Sequence, residues 1–285
     1  MNEYLKPKKS LSQNFLIDEN ISRKIVNLLD CKENENVIEI GPGTGSLTQY
    51  LLKYNINLTS VEIDKEAFEI LLTKFNKIEF NNFNLINKDF LKISIKDIFD
   101  KINSELINDN NKNPKKIKII GNLPYHISSE IFFKILENSF FIENAVLMLQ
   151  KEVAQRLIAK TKTKEYGILT VAINLLGKIQ KKFDVSPTCF YPQPKVTSTI
   201  VELNFDHPKV NIEEFIRIMV LVRAAFNQRR KKLKNALENY LIKYLKPIQI
   251  KLILNEDVFA KRAEELSAED FISLYNLIKS TYEFV

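Results

Sequence analysis

The sequence predicts an α/β fold, a parallel sheet with helices on both faces, followed by a smaller all-helical C-terminal domain. Three observations predict it. Short apolar runs alternate with helical patterns through residue 150, as parallel strands joined by crossover helices require. Of six glycines in 285 residues, three (Gly41, Gly43 and Gly45) fall within five positions, between a strand pattern and a helix pattern. Beyond residue 211 glycine is absent, and apolar residues recur at helical spacing, as in Phe215, Ile218, Met219 and Val222.

Taken in order, residues 36–40 (NVIEI) form an apolar strand and 46–54 a helix after the glycine turn. Residues 57–63 (NLTSVEI) form the next strand and 65–75 the next helix. Residues 82–87, 116–120 (KIKII) and 145–149 (AVLML) supply three more strands. Between the third and fourth lies 102–116, whose Asn, Lys and Asp content predicts a solvated loop. The expected division is 1–205, with its first ten residues flexible, and 206–285, hinged near His207-Pro208.

Charge and composition narrow the function classes. Lys and Arg number 42 against 35 Asp and Glu, a net +7 that suits a polyanionic partner. Two cysteines, Cys31 and Cys189, exclude a disulfide framework, and with His126 and His207 they are too few for a Cys/His metal cluster. No apolar run approaches the roughly 18 residues of a membrane span. The N-terminus lacks the hydrophobic stretch of a signal peptide. The expectation is a cytoplasmic monomer that holds no metal and binds no membrane.

The glycine turn sits where backbone amides and a helix start can approach a ligand closely. Glu62 ends the following strand, 21 residues after Gly41, the place for a carboxylate that holds ribose hydroxyls. A tight turn with an incidental surface Glu is the bland alternative; turn and carboxylate together favour an adenosine-type cofactor. The spacing departs from G-x-G-x-x-G, with Ser46 in the sixth place, and no Gly-Lys-Ser/Thr occurs for a phosphate loop. With Glu39 ahead of Gly41, the E-x-G-x-G-x-G form resembles motif I of S-adenosylmethionine-dependent methyltransferases.

A second string, Gly121-Asn122-Leu123-Pro124-Tyr125, follows KIKII at a strand's carboxyl end, where open α/β sheets bind ligands. Pro124 stiffens the turn and biases Leu123 to an extended conformation. The adenine amine is a poor nucleophile because its lone pair is delocalised. Acceptors at the Asn122 side chain and the Leu123 carbonyl would bind both amino hydrogens and turn the lone pair outward, with Tyr125 stacked on the base. An Asn-Pro turn beside a half-buried tyrosine is the ordinary alternative.

With these strings in place, the chain resembles the ribosomal RNA adenine-N6,N6-dimethyltransferases that modify two adjacent adenines near the 3′ end of small-subunit rRNA. The match runs through residues 8–16, 39–48, 88–91 (KDFL), 121–129, 190–198 (FYPQPKVTS), 225–237 (AFNQRRKKLKNAL) and 262–267 (RAEELS). The resemblance implies a Rossmann-like S-adenosylmethionine-dependent methyltransferase sheet with a helical RNA-binding domain, acting on a pre-ribosomal 30S particle. It implies cofactor contacts at Asn14, Leu16, Gly41, Glu62, Asp89 and Asn122, with Asp89 receiving the cofactor adenine. Catalytic positions are Asn122, Leu123 and Tyr125. Phe190 either closes over the target base or is a core aromatic. One departure is Ser12, where the family usually has glycine before Gln-Asn-Phe-Leu.

From Arg223 to Lys246, eight cationic residues stand against Glu238 alone, a balance equal to that of the whole chain. Such a run is a solvated helix face or a phosphate-binding surface; beside a nucleobase-modifying site it reads as RNA-binding, through Arg223, Arg229, Arg230, Lys231, Lys232 and Lys234. The rival functions are a large-subunit 23S rRNA adenine methyltransferase conferring macrolide resistance and a non-catalytic RNA-binding assembly factor. The RAEELS and AFNQRRKKLKNAL strings favour the small-subunit branch. Intact Glu62, Asp89, Asn122 and Tyr125 favour an enzyme. A DNA adenine methyltransferase would commonly carry proline where Leu123 stands.

Overall fold

The computed structural model of the chain describes residues 7–8, 11, 13–75, 82–104, 114–124 and 126–283. Ser12, Tyr125, the middle of the Asn/Lys loop and most of the stretch expected to be flexible at 1–10 lie outside the described residues.

A two-residue strand β1 (Phe15–Leu16) leads into α1 (Glu19–Leu28), whose first turn is capped by the Asp18 carboxylate accepting from the Ile21 N–H. Strands and helices then alternate: β2 (Asn36–Ile40), α2 (Thr48–Leu51), β3 (Asn57–Glu62), α3 (Lys65–Lys74), β4 (Phe83–Asn87), α4 (Ile95–Ile102), β5 (Ile117–Asn122), α5 (Ser128–Glu137) and β6 (Ile142–Gln150). After α6 (Lys151–Leu157) and α7 (Ile168–Leu176), the chain returns as β7 (Lys178–Val185), β8 (Phe190–Tyr191) and β9 (Ser198–Asn204). The helix expected over 46–54 is thus a single turn, and the strand expected over 145–149 is nine residues long.

Seven strands form one sheet in the order β4-β3-β2-β5-β6-β9-β7. The pairs from β4 to β6 are parallel, as the alternating pattern predicts. β9 departs from that expectation by running antiparallel to β6, with Leu147 opposite Val201. β1 and β8 make a separate antiparallel pair, with Phe15 opposite Tyr191 and Leu16 opposite Phe190. Every residue of β2 is buried, so its apolar side chains meet layers on both faces. Leu29, Leu51, Leu58, Ile120, Val146 and Ile200 share that core.

A cation is buried inside the sheet. Lys118, in β5, is 3% exposed. Its ammonium donates to the Asp30 carbonyl at 2.8 Å and pairs with Glu35 at 2.8 Å, which offsets its desolvation.

The chain divides into two compact units, one of Met1–Ala154 with Ile179–Asp206, the other of Gln155–Lys178 with His207–Val285. The expected boundary at 205/206 therefore omits one segment. Residues 155–178 belong with the second unit because the apolar α7 packs on α8 (Ile212–Asn227) and α12 (Ala268–Glu283). Between those two helices lie α9 (Leu233–Ala236), α10 (Glu238–Tyr244) and α11 (Pro247–Ile253). α8 opens with a reciprocal cap, Asn211 to the Glu214 N–H and Glu214 back to the Asn211 N–H. Among the described residues, no helix is long and apolar enough to cross a membrane.

Candidate active site

The turn after β2 explains its glycines. Gly43 (φ +57°) and Gly45 (φ +80°) take left-handed conformations that side chains disfavour. A Cβ on Gly45 would also meet the Phe75 ring at 2.5 Å, and one on Gly43 would meet Phe15 at 3.0 Å. The turn is thereby held tight against α3 and β1. Gly41, with φ +62°, donates its N–H to the Val61 carbonyl at 3.0 Å, which brings the turn beside the end of β3.

Two carboxylates face the cavity formed there. Glu62, last residue of β3, is 4% exposed; its Oε2 accepts from the Gly43 N–H at 2.9 Å and its Oε1 from the Asp64 N–H at 2.8 Å. Burial pushes the Glu62 carboxyl up, against those backbone hydrogen bonds. Glu39, in β2, is more deeply placed. Its Oε2 accepts from Thr48 Oγ1 at 2.8 Å and Ser60 Oγ at 2.7 Å, while its buried Oε1 has no hydrogen-bond partner. Burial pushes its carboxyl up to about 7, despite the hydrogen bonds from Ser60 and Thr48. The signal for Glu39 in the sequence is its place ahead of Gly41 in the E-x-G-x-G-x-G form.

The opposite wall comes from the end of β5. Asn122 pairs in register with Met148, and Gly121 with Ile40, so the GNLP turn leaves the sheet beside the glycine turn. The Asn122 Nδ2 donates to the Asn14 carbonyl at 3.0 Å. Since a carbonyl can only accept, this fixes the amide and turns Oδ1 away from Asn14. Leu123 is buried, and its N–H donates to the Met148 carbonyl at 3.1 Å. Tyr125 falls outside the described residues.

Asn14, Leu16, Gly41, Glu62, Asn122 and Leu123 therefore line one cavity, joined by Gln13, Phe15, Ile63 and His126, which the sequence did not single out. Gln13 and Phe15 arrive through long-range packing of β1, which two residues of strand pattern cannot announce, whereas Ile63 and His126 follow the ends of β3 and β5. Asp89 is not among the lining residues. It follows β4, where the Lys88 N–H donates to the Glu62 carbonyl at 3.1 Å, and its carboxylate accepts from the Leu91 N–H at 2.9 Å. Of the two readings of Phe190, the core one fits: it is 1% exposed and packs in the main cluster.

In the second unit, Arg223, Arg230, Lys231, Lys232 and Lys234 are exposed. Arg229 differs. Its Nε donates to Glu264 Oε2 at 2.6 Å, and a terminal nitrogen donates to the Thr163 carbonyl at 2.9 Å. The guanidinium is committed within the unit, which does not suit the free phosphate contact expected of it.

A mostly parallel sheet with a glycine turn, a strand-end carboxylate and an Asn-Leu-Pro turn at one edge defines a Rossmann-like methyltransferase. The profile of the ribosomal RNA adenine dimethylase family matches residues 4–280, and the chain belongs to that family. It is 44% identical to the ribosomal RNA small subunit methyltransferase A of Mycoplasma mobile, over 88% of this chain and 91% of that one. With the enzyme of the same name from Francisella tularensis subsp. novicida, identity is 41% over 96% and 98%. The solved structure of a dimethyladenosine transferase from Plasmodium falciparum superposes with a TM-score of 0.76 at 25% identity, covering 94% and 98%. That of the 23S rRNA methyltransferase ErmE gives 0.65 at 24%, covering 93% and 100%, a likeness of fold alone.

Proposed function

We propose that the protein uses S-adenosylmethionine to dimethylate N6 of two adjacent adenines near the 3′ end of small-subunit rRNA, within a pre-ribosomal 30S particle. The reading is of a cytoplasmic monomer with no metal in the reaction. The observation that carries it is the fixed amide of Asn122. With Nδ2 held by the Asn14 carbonyl, Oδ1 is the atom left to accept a hydrogen bond from an amine.

The residues present fit the cofactor. The unpartnered Glu39 Oε1, buried at the cavity wall, suits a cationic donor, and the glycine turn allows close backbone approach. Glu62 would hold the ribose hydroxyls, Asn14 and Leu16 would cover the opposite side, and Asp89 would reach the adenine amine from the end of β4. When bound, the cofactor supplies an activated methyl group. The chain's own part is alignment. Asn122 Oδ1 and the Leu123 carbonyl accept the two amino hydrogens of the substrate adenine, with Tyr125 stacked on its ring. The residues at the site need supply no strong base: N6 would take the cofactor's methyl group, the C–S bond breaking as the N–C bond forms, and the ammonium so produced would lose its proton to water. Exposed Arg230, Lys231, Lys232 and Lys234, with Arg223, would hold rRNA phosphates.

Small-subunit specificity is favoured over the large-subunit alternative by the two relatives above 40% identity. The test offers labelled S-adenosylmethionine with unmodified 30S and 50S particles separately and maps the modified nucleotides. Dimethyladenosine pairs confined to the 30S particle are expected. Label on the 50S particle, or on neither, overturns the reading.

A further inference from the structure

The segment that covers the cavity is held by few backbone bonds. β1 contributes two residues of strand pairing, extended by the Ile17 N–H to the Cys189 carbonyl at 2.9 Å. Phe15 and Leu16 are buried in apolar clusters, whereas the residues ahead of them are tied by polar contacts that converge on one carboxylate. Asp64 Oδ1 accepts from Lys8 Nζ at 2.7 Å, and Oδ2 accepts from Gln13 Nε2 at 2.7 Å. Gln13 Oε1 in turn accepts from the Lys8 N–H at 2.8 Å, and Lys8 Nζ also lies 3.0 Å from Glu66. The Asp64 side chain is fully buried in this arrangement.

Asp64 connects this strap to both walls of the cavity. Its own N–H donates to Glu62 Oε1, whose partner oxygen receives the Gly43 N–H. On the other side, Gln13 is followed by Asn14, whose carbonyl holds the Asn122 amide. A hydrogen-bonded course thus runs from the glycine turn through Glu62, Asp64, Gln13 and Asn14 to Asn122. It closes over the cavity that Gln13, Asn14 and Phe15 line.

We propose that Lys8, Gln13 and Asp64 form a clasp that sets how long the cofactor stays bound and, through the Asn14 carbonyl, holds Asn122 in its working orientation. Lys8, Gln13 and Asp64 are positioning residues. Opening the clasp frees Gln13 and Asn14 to lift from the cavity while Phe15 and Leu16 stay packed. It also frees the Asn122 amide to rotate and present Nδ2, a donor, where an acceptor is needed. The electrostatics favour the closed form: burial alone would raise the Asp64 carboxyl, but the hydrogen bonds from Lys8 and Gln13 outweigh it and hold it below its usual range. The simpler role for Asp64 is the cap of α3, where Oδ1 accepts from the Glu66 N–H at 3.0 Å. That role involves neither Lys8 nor Gln13.

The proposal rests on the cofactor reading above, and two measurements on the full chain separate them. The first is amide hydrogen exchange across residues 13–17 without ligand. The second is the rate at which bound labelled S-adenosylmethionine leaves under a chase of unlabelled compound. Lys8→Met and Gln13→Ala each remove a charge-assisted hydrogen bond to Asp64 and should each speed exchange at 13–17 and release by about tenfold, with melting temperature unchanged. Lys8→Arg should restore both. Asp64→Asn, which keeps a capping oxygen, should behave as Lys8→Met does. Faster exchange with unchanged release makes the contacts merely structural and overturns the clasp; so does unchanged exchange. If the unaltered chain retains no S-adenosylmethionine, the cofactor reading and the residence role fall together, whereas unchanged exchange alone removes only the clasp.

Discussion

Arg229 and Glu264 face each other as an ion pair, Nε to Oε2 at 2.6 Å, across 35 residues of sequence. Both side chains are about two-thirds buried, and the same guanidinium holds the Thr163 carbonyl. The pair fastens the segment after α8 to the RAEELS stretch within the second unit. Arg229→Ala and Glu264→Ala should each lower stability by about 1 kcal/mol, and the double variant by less than their sum. Thermal melting of the three variants measures this, and additive losses would show that the pair does not couple.

The RNA contacts should lie with the neighbours of Arg229. Replacing Arg230, Lys231, Lys232 and Lys234 by Ala should weaken RNA binding while sparing cofactor binding and melting temperature. Each lost phosphate contact should flatten the log–log salt dependence of affinity by roughly 0.7 to 0.9. Unchanged affinity and slope in the folded variant would leave these side chains a solubilising face and move the RNA surface elsewhere.

Glu62→Ala should weaken S-adenosylhomocysteine binding by about 1.5–3 kcal/mol, the value of charge-assisted hydrogen bonds to a paired ribose. Calorimetry gives the answer directly. An unaltered dissociation constant removes Glu62 from the ribose.

Asn122→Ala should leave cofactor affinity within roughly tenfold and lower the methylation rate by about 10² or more, as when one preorganised polar group is removed. Single-turnover rates at saturating RNA decide it, and a rate equal to that of the unaltered enzyme would end the alignment role.

Glu39 predicts a pH dependence. Burial keeps its carboxyl protonated in the native state up to about pH 7, whereas the unfolded chain releases that proton near 4.5. Between these values the native state binds more protons, so stability should decline as pH rises from 4.5 through 7. A cation bound beside Glu39 favours its ionised form, so cofactor affinity should rise with pH over the same window and binding should release a proton. Glu39→Gln should flatten both profiles. Calorimetry in buffers of different ionisation enthalpy counts the proton, and a count of zero at pH 6 would contradict the assignment.

The parallel half of the sheet was legible because its signals are local. NVIEI, the glycine turn and NLTSVEI each declare themselves within a few residues, and Gly41, Glu62 and Asn122 follow from their places at strand ends. Two-residue strands such as β1 and β8 have no period to detect. β7, with Lys178, Lys181 and Lys182 in eight residues, reads as a solvated stretch although it edges the sheet. The assignment of α7 to the second unit, the Asn14 carbonyl on Asn122 and the Arg229–Glu264 pair all depend on contacts between distant segments. Charge counting placed Arg229 among the RNA contacts because a formal charge does not reveal its partner.

The direction of the antiparallel strand β9 decides which residues reach this edge of the protein. Its first residue, Ser198, lies opposite Gln150, the last of β6, so residues 186–197 return to the edge where β2, β3 and β5 end. A parallel strand in that place would have carried the same residues to the far side. Two kinds of connection therefore meet at one rim: tight outgoing turns whose backbones are locked by packing, and a return loop anchored by β8, by buried Phe190 and by the Thr197 carbonyl, which accepts from the Lys151 N–H at 2.9 Å. The return loop thus brings residues from late in the chain to the rim that carries Gly41, Glu62 and Asn122, where Phe190 and Tyr191 pair with the cavity-lining Leu16 and Phe15. One rim is therefore assembled from both ends of the first unit's chain, in a single sheet.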